Sequence, residues 1–388
     1  MKKQVSKKVH QFPTIDQVPS LLGFGCMRLP TTETGAIDEA RAEAMIDYAY
    51  QRGVTYFDTA WPYHGGESET FMGRVLKKYP RQSFQLANKM PSWEIESLDD
   101  VKRIFEAQLE KCQVDYFDYY LCHAMNKTHF EVYKKPGIMD YLVSLKREGK
   151  IKYLGFSFHD TPEVLAKIMA YHPWDFVMLQ LNYLDWDFQD AKSQYDIVTS
   201  HKIPCLVMEP VRGGTLATLS EDARAVLKEA DASRSIASWA VRYAASKPNV
   251  MVVLSGMSDM AQTQDNIETL TNFEPLNDTE QGVIDKALEI FLKARIVPCT
   301  SCGYCVPCPH GVAIPNMFET YNNYAVSHHE RPFIRSYESY EVSKRAEACI
   351  DCGECVPKCP QNIDIPERLA HINSRFKHIK SQHEETSS

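Results

Sequence analysis

Residues 53–63 read Gly-Val-Thr-Tyr-Phe-Asp-Thr-Ala-Trp-Pro-Tyr. The run Thr55 to Asp58 reads as a short buried strand ending in an acid, followed by a loop that carries Tyr63. A phenol has a pKa of about 10, so a tyrosine acting as a proton donor needs a cation that favours its phenolate. The next strand-like run, Ser83 to Lys89, ends in such a cation, and the run after it, Tyr116 to His123, ends in an imidazole. Asp58 would hold and charge Lys89, Lys89 would depress the pKa of Tyr63, and His123 would orient a substrate oxygen. Singly, each residue is as well explained by capping or packing; the four in order, at or just beyond successive strand ends, point to one site.

Working outward, strand-like runs also lie at Leu21 to Met27, Ile151 to Ser157, Phe176 to Leu181, Pro204 to Met208 and Val250 to Leu254. Segments of helical periodicity alternate with them, such as Asp38 to Gln51, Glu67 to Lys78, Leu98 to Lys111 and Ser235 to Ser246. Eight strands alternating with helices are the pattern of a parallel sheet with helical crossovers. Eight such strands close into a barrel of about 250 residues whose active sites lie at the C-terminal strand ends. An open doubly wound sheet is the alternative, but no Gly-x-Gly-x-x-Gly turn follows the first strand.

The order Asp58, Tyr63, Lys89, His123 resembles the aldo/keto reductase family, in which these residues catalyse hydride transfer between a nicotinamide and a carbonyl. The resemblance implies a (β/α)8 TIM barrel and a cofactor site in the same register. It places Ser157 and Gln180 at the nicotinamide carboxamide, with Asn182 on the same face, and Met208 under the nicotinamide ring where the family has an aromatic residue. Gly213 and Gly214, following Pro210, would let backbone N–H groups approach a pyrophosphate, with Arg212 just ahead of them; Ser255, Gly256 and Met257 open the loop after the last strand, and Asp265 and Asn266 match the adenosine end. The chain departs from the family at Phe158, where an Asn is usual. No Lys or Arg stands between Lys247 and Lys286 to meet a ribose 2′-phosphate, which favours NAD over NADP, although Arg212 could reach such a phosphate. His159 and Arg28, at two further strand ends, read as loop hydrogen-bonders or pocket-lining residues.

The 388 residues suit one large domain and one smaller one, and the net charge of -8 argues against a nucleic-acid partner. Lys-rich residues 1–8 lead into no apolar run and read as a solvated terminus; no run approaches a membrane span. A cytoplasmic protein is expected. Around residues 274–278 the barrel pattern ends, a helix from Thr279 to Ala294 follows, and the composition changes.

Eight of the twelve cysteines form two ladders, Cys299, Cys302, Cys305, Cys308-Pro309 and Cys349, Cys352, Cys355, Cys359-Pro360. The second has the Cys-x2-Cys-x2-Cys-x3-Cys-Pro spacing of bacterial 4Fe-4S ferredoxins, in which the fourth cysteine ligates the other cluster. That rule gives Cys299, Cys302, Cys305 and Cys359 to one cluster and Cys349, Cys352, Cys355 and Cys308 to the other, though the first ladder has one residue fewer before its last cysteine. Structural zinc is the alternative, but a third cysteine at the same step has no role in it. The ladders resemble the ferredoxin-like domain fused to a subset of aldo/keto reductases. The expected organisation is therefore a barrel over 1–295, a small, mainly helical ferredoxin-like domain over 296–380 and a disordered tail over 381–388. Helices are expected at Ile314 to Tyr324, Glu338 to Ala348 and Pro366 to Lys377.

Three functions remain open. In the first, the barrel interconverts a carbonyl and an alcohol with NAD(P)H while two 4Fe-4S clusters exchange electrons with a ferredoxin-like partner. In the second, nicotinamide binding is weak or lost and the clusters feed the barrel. In the third, the protein is a non-enzymatic iron-sulfur redox sensor. Nicotinamide moves electrons in pairs and the clusters move them singly, so coupling the halves calls for a mediator such as a flavin, for which no motif is evident.

Overall fold

In the computed structural model, which describes residues 4–8, 12–293 and 296–385, the alternation closes on itself. The strands β1 (Leu22–Gly25), β2 (Tyr56–Asp58), β3 (Gln85–Met90), β4 (Phe117–Met125), β5 (Ile151–Phe158), β6 (Phe176–Gln180), β7 (Cys205–Met208) and β8 (Val250–Gly256) are parallel neighbours in chain order. Pairing of β1 with β8 closes the barrel. Nearly every strand residue is buried, because inward side chains fill the barrel while outward ones meet the helices. The interior is aromatic: Tyr119 has Tyr56, Tyr153 and Phe176 around it at ring-centroid distances of 5.1, 5.0 and 5.1 Å. Each such fully buried large side chain contributes roughly 1.5–3 kcal/mol.

Phe12 and Ile15, ahead of β1, join this core. Thr14 donates to the carbonyl of Asp175 at 2.7 Å, and the Asp16 N–H donates to the Tyr153 hydroxyl at 3.1 Å. Asp175 immediately precedes β6, so this segment stoppers the N-terminal end of the barrel and leaves the C-terminal mouth for chemistry. The N-terminus itself is not simply solvated: Val5 is buried and bridges Thr271, and the Lys8 ammonium donates to the carbonyls of Ala245 (2.6 Å) and Lys247 (3.2 Å). Residues 1–3 lie outside the described residues.

The helices in chain order are α1 (Glu39–Gln51), α2 (Glu67–Leu76), α3 (Leu98–Cys112), α4 (Lys127–Tyr133), α5 (Ile138–Arg147), α6 (Pro162–Tyr171), α7 (Asp185–Phe188), α8 (Ala191–Ser200), α9 (Glu221–Ala230), α10 (Ile236–Ser246), α11 (Met260–Thr269), α12 (Asp278–Leu292), α13 (Ile314–Ser327), α14 (Glu330–Glu338) and α15 (Ile365–Glu385). The α3 start shows a capping box, Ser97 with Asp100. No helix among the described residues is long and apolar enough to cross a membrane.

Two compact units result: Met1–Val211 with Ala237–Asn277, and Arg212–Ile236 with Asp278–Ser388. Thus the stretch after β7 and the helix α12, placed with the barrel by the sequence boundary at 295, group with the cysteine-bearing segment. In this second unit α9 packs on α12. Its core gathers Met317, Phe318, Phe333, Tyr337, Leu369, Ile372 and Phe376, with Tyr337 stacked on Phe376 at 4.0 Å.

The helix expected over Glu338 to Ala348 does not form. Residues 342–344 and 346–348 are single 3-10 turns, and α14 ends at Glu338. Arg345 donates to the carbonyls of Glu338 (2.9 Å) and Tyr340 (2.8 Å), occupying acceptors that a continuing helix would use internally. The tail, expected to be disordered from 381, is helical as far as Glu385. His383 meets Glu330 at 2.9 Å and Lys380 meets Glu338 at 2.7 Å. Residues 386–388 lie outside the described residues.

Candidate active site and cysteine-lined cavities

Asp58 is the last residue of β2, Lys89 lies next to the end of β3, and His123 lies near the end of β4, just ahead of an irregularity at which Ala124 takes φ 50°. Tyr63 opens the 3-10 turn that follows β2. Asp58 pairs in register with Ala87, two residues before Lys89, so both side chains share a face of the sheet. Lys89 is ion-paired with Asp58 and also donates to the Thr59 carbonyl at 2.8 Å; both charged groups are about 1% exposed. The Lys89 ammonium stands 4.9 Å from the centre of the Tyr63 ring, and the Tyr63 and His123 rings meet edge to face at 6.2 Å. All four predicted residues therefore converge.

Electrostatics at Tyr63 differ from the expectation. Burial pushes the phenol well above its ordinary value, and the charges of Asp58 and Glu209 push it further, with Arg28 opposing. Burial outweighs the cation: Lys89 is ion-paired with Asp58, whose own negative charge acts on the phenol. Burial likewise raises the Asp58 carboxyl, against the pull of Lys89. His123 is held well below the usual imidazole range, first by burial and then by Lys89, His159 and His129, so it is neutral at physiological pH.

Trp93 was not singled out from sequence, whereas Arg28 and His159 were read there as loop hydrogen-bonders or pocket-lining residues. Trp93, in the turn after β3, places its ring 5.0 Å from His123 and is 42% exposed; an aromatic residue four positions beyond Lys89 was the available signal. Glu209 pairs with Arg28 at 3.8 Å, and both act on Tyr63. His159, pushed down to about 4 by burial and then by His129, acts on His123.

The predicted cofactor residues fall into three groups. Ser157 accepts from the Ala124 N–H at 2.8 Å, Gln180 donates to Asp185 at 2.8 Å, and Asn182 donates to Asp185 (2.7 Å) and to the Glu209 carbonyl (3.0 Å). Asp185, fully buried, ties these strand ends together and was not singled out from sequence. In the second group, Asn266 donates to Ser255 at 3.1 Å, and its own amide oxygen is buried without a hydrogen-bond partner. Gly256 is exposed, Met257 buried, Asp265 half-buried, and Met208 packs half-buried against the barrel core.

The third group, Arg212, Gly213 and Gly214, belongs to the other compact unit. Arg212 is fully buried with φ 50°, and Gly213 has φ 62°. A Cβ on Gly213 would stand 2.3 Å from the Thr300 carbonyl oxygen. The open face expected for a pyrophosphate is filled by the backbone next to Cys299.

Two cavities take up the cysteine ladders. Cys299, Cys302, Cys305 and Cys359 line one, walled by Phe318, Ile363 and Ile365. Cys308, Cys349, Cys352 and Cys355 line the other, walled by Val312, Ile314 and Leu369. The groups feel one another: burial, then Cys302, Cys299 and Cys359, pushes the Cys305 thiol up to about 12, and burial, then Cys349, Cys308 and Cys352, raises Cys355. Among the described residues no three His, Cys, Asp or Glu side chains close on a single-ion site; each quartet surrounds a space instead. Crowded thiols that disfavour lone thiolates suit a multiply charged metal group that binds them deprotonated.

Comparison with known proteins divides the chain between residues 289 and 298 rather than at the edges of the compact units. The aldo/keto reductase family model matches residues 21–289, and a 4Fe-4S dicluster domain model matches residues 298–363. A probable aldo-keto reductase of Glycine max is 32% identical over 179 residues, 44% of this chain and 50% of that protein, so the chain spans about half the length of that relative. L-galactose dehydrogenase of Arabidopsis thaliana is 26% identical over 286 residues, covering 66% of this chain and 86% of the relative. The holo form of an aldo-keto reductase from Bacillus halodurans superposes with a TM-score of 0.60 at 28% identity, covering 73% of this chain and 96% of that one. A barrel of this topology, matched by the family model over more than half of its sequence, makes the chain a member of the aldo/keto reductase family that continues into a 4Fe-4S domain.

Proposed function

We propose that the barrel interconverts a carbonyl and an alcohol with a nicotinamide dinucleotide, and that the C-terminal unit carries two 4Fe-4S clusters for electron exchange with a ferredoxin-like partner in a reducing, cytoplasmic compartment. The observation that carries the first half is the buried Asp58–Lys89 pair beside Tyr63 and a neutral His123. The relatives named as reductases and a dehydrogenase support it.

When bound, the nicotinamide supplies or accepts the hydride. The chain's own groups handle the oxygen and its proton. Tyr63, kept protonated by its surroundings, donates its proton to the carbonyl oxygen in reduction and takes it back in oxidation. Lys89 then faces the phenolate. Its ammonium stands 4.9 Å from the centre of the ring, and Asp58 offsets part of its charge. His123, uncharged, orients the substrate oxygen, and Trp93 shields the imidazole from solvent.

The nicotinamide end is supported by Ser157, which accepts from Ala124 and keeps its hydroxyl hydrogen to donate, and by Gln180 at the next strand end. The orphaned acceptor on Asn266 suits the amino group of an adenine. Cys299, Cys302, Cys305 and Cys359 would hold one cluster and Cys308, Cys349, Cys352 and Cys355 the other, each supplying one-electron transfer; quartets lining cavities favour clusters over zinc. Cys352 is exposed, so partner electrons enter more readily at the second cavity.

A second reading, a ferredoxin-fed reductase with weak nicotinamide binding, is favoured by Gly213 lying against Thr300 rather than an open loop. One experiment separates the two. Anaerobic holoprotein is assayed on a carbonyl panel, with NADH or NADPH in one series and dithionite-reduced ferredoxin in the other. Turnover with nicotinamide that drops about 10²–10⁴-fold in Tyr63→Phe supports the first reading. Turnover with ferredoxin alone supports the second, and nicotinamide turnover that Tyr63→Phe leaves intact refutes the proposed acid.

A further inference from the structure

Gly213 stands where a pyrophosphate was expected and Arg212 immediately precedes it, yet both belong to the cysteine-bearing unit. Gly213 has no side chain and a left-handed backbone, and that face is in contact with the Thr300 backbone; any Cβ there would collide with it. Gly213, Cys299 and Ser301 also share the lining of one cleft. Arg212, one residue earlier, is fully buried at φ 50°, a conformation that a non-glycine residue holds only where its surroundings enforce it. Thr300, which Gly213 abuts, lines the first cavity together with Cys299. Among the described residues no Arg or Lys lines either cavity directly.

We propose that Arg212 is a positioning residue of the first iron-sulfur cluster, a buried fixed charge that raises that cluster's reduction potential above that of the second. The inference rests on the cluster reading above. Reduction of a cluster by one electron adds one negative charge to the unit of metal, sulfide and four thiolates. A buried guanidinium on the chain that abuts the wall of that cavity favours the more negative state, and its burial limits screening by solvent. Gly213 permits this arrangement by letting Thr300, and with it Cys299, approach the chain that carries Arg212.

The test uses full-length holoprotein, prepared anaerobically, with potentiometric titration followed by electron paramagnetic resonance. Wild type, Arg212→Gln, Arg212→Met and Arg212→Lys are compared, and NADH binding is measured alongside by fluorescence. In the two neutral variants, one of the two potentials should fall by at least a tenfold change in the one-electron equilibrium, 59 mV. The other potential should stay in place. Arg212→Lys should keep most of the wild-type value, and NADH affinity should change less than twofold throughout. If neither neutral variant assembles the first cluster while Arg212→Lys does, the charge requirement stands; failure of all three refutes it in favour of packing. Unmoved potentials, equal shifts in both clusters, or equal shifts in the lysine and neutral variants would overturn the inference. So would a tenfold loss of NADH affinity with potentials intact, which would return Arg212 to the pyrophosphate. Iron and sulfide contents of the wild type that fall short of two clusters would instead overturn the cluster reading itself.

Discussion

Replacing Lys89 by Met probes the site at its least solvated point. Asp58 and Lys89 are each about 1% exposed, and the ammonium also serves the Thr59 carbonyl. Removing one partner of a buried pair costs about 3–5 kcal/mol, because the other charge stays behind in a low dielectric. Asp58 has an escape: it can take up a proton. Its carboxyl is already raised by burial, and without Lys89 it rises further. Relative to an unfolded aspartate titrating near 3.9, keeping it neutral at pH 7 costs about 1.4 kcal/mol for each of roughly three pH units, or about 4 kcal/mol in all. The two estimates agree, and the second fixes a sign. Between pH 4 and the raised pKa the folded variant binds a proton that the unfolded chain releases, so its stability falls as pH rises, by up to about 1.4 kcal/mol per unit. Lys89→Met should therefore be strongly destabilised at pH 7, and its deficit should nearly vanish close to pH 4. Lys89→Met/Asp58→Asn, which has no carboxylate to neutralise, should recover most of the loss at pH 7. Urea unfolding of anaerobic holoprotein, read by tryptophan fluorescence at several pH values, measures these differences; comparing single with double variant cancels the contribution of the clusters. A penalty that does not change between pH 5 and 8, or a double variant no more stable than the single one, would refute the reasoning.

The pH dependence of carbonyl reduction should be flat from about pH 6 to 9, since His123 is already neutral below its usual range and Tyr63 is still protonated above its own. The rate of reduction should fall only where the phenol finally ionises, and a limb near pH 7 in kcat/KM would contradict this. Cys359→Ala, although Cys359 belongs to the second ladder, should abolish the same paramagnetic signal as Cys302→Ala, because both line the first cavity. Loss of the signal that Cys352→Ala removes would reverse the fourth-ligand exchange. Gly213→Ala must displace Thr300, so iron content should drop by about half and thermal stability with it; an alanine variant with full iron would mean that the contact yields at little cost.

Much of the barrel was legible because its determinants are local. Runs such as Tyr116 to His123 and Ile151 to Ser157 are buried on both faces and bounded by polar turns, and the eight runs became eight strands with ends shifted by one or two residues. The four catalytic candidates were legible because strand ends of a parallel barrel meet at one face. What escaped depends on tertiary partners. Asp185 looks in sequence like a loop acid; only the fold gathers Gln180 and Asn182 around it. The segment 338–348 has acceptable helical propensity, yet one side chain, Arg345, takes the carbonyls on which a continuing helix depends. The expectation that Lys89 depresses Tyr63 left out the burial of the phenol, which comes first, and the opposing charge of Asp58, both of which depend on tertiary distances.

The pair Gly213–Gly214 sharpens the same point, because a glycine records only that a side chain was unwelcome, and what fills the space decides its meaning. An open face would leave backbone N–H groups for a phosphate; a face closed by the Thr300 carbonyl is a packing site. The consequence reaches cofactor choice. Arg212 was the cation near this stretch that could answer a ribose 2′-phosphate, and it is fully buried. Between Lys247 and Lys286 the loop after β8 and the helix α11 contain no Lys or Arg. A phosphate in that loop would find no Lys or Arg of the loop or of α11 itself to offset its desolvation, whereas a ribose hydroxyl needs only neutral acceptors and donors. Assigning Arg212 to the first cluster and proposing NADH over NADPH are thus linked: the same burial that limits screening of the guanidinium withdraws it from a dinucleotide.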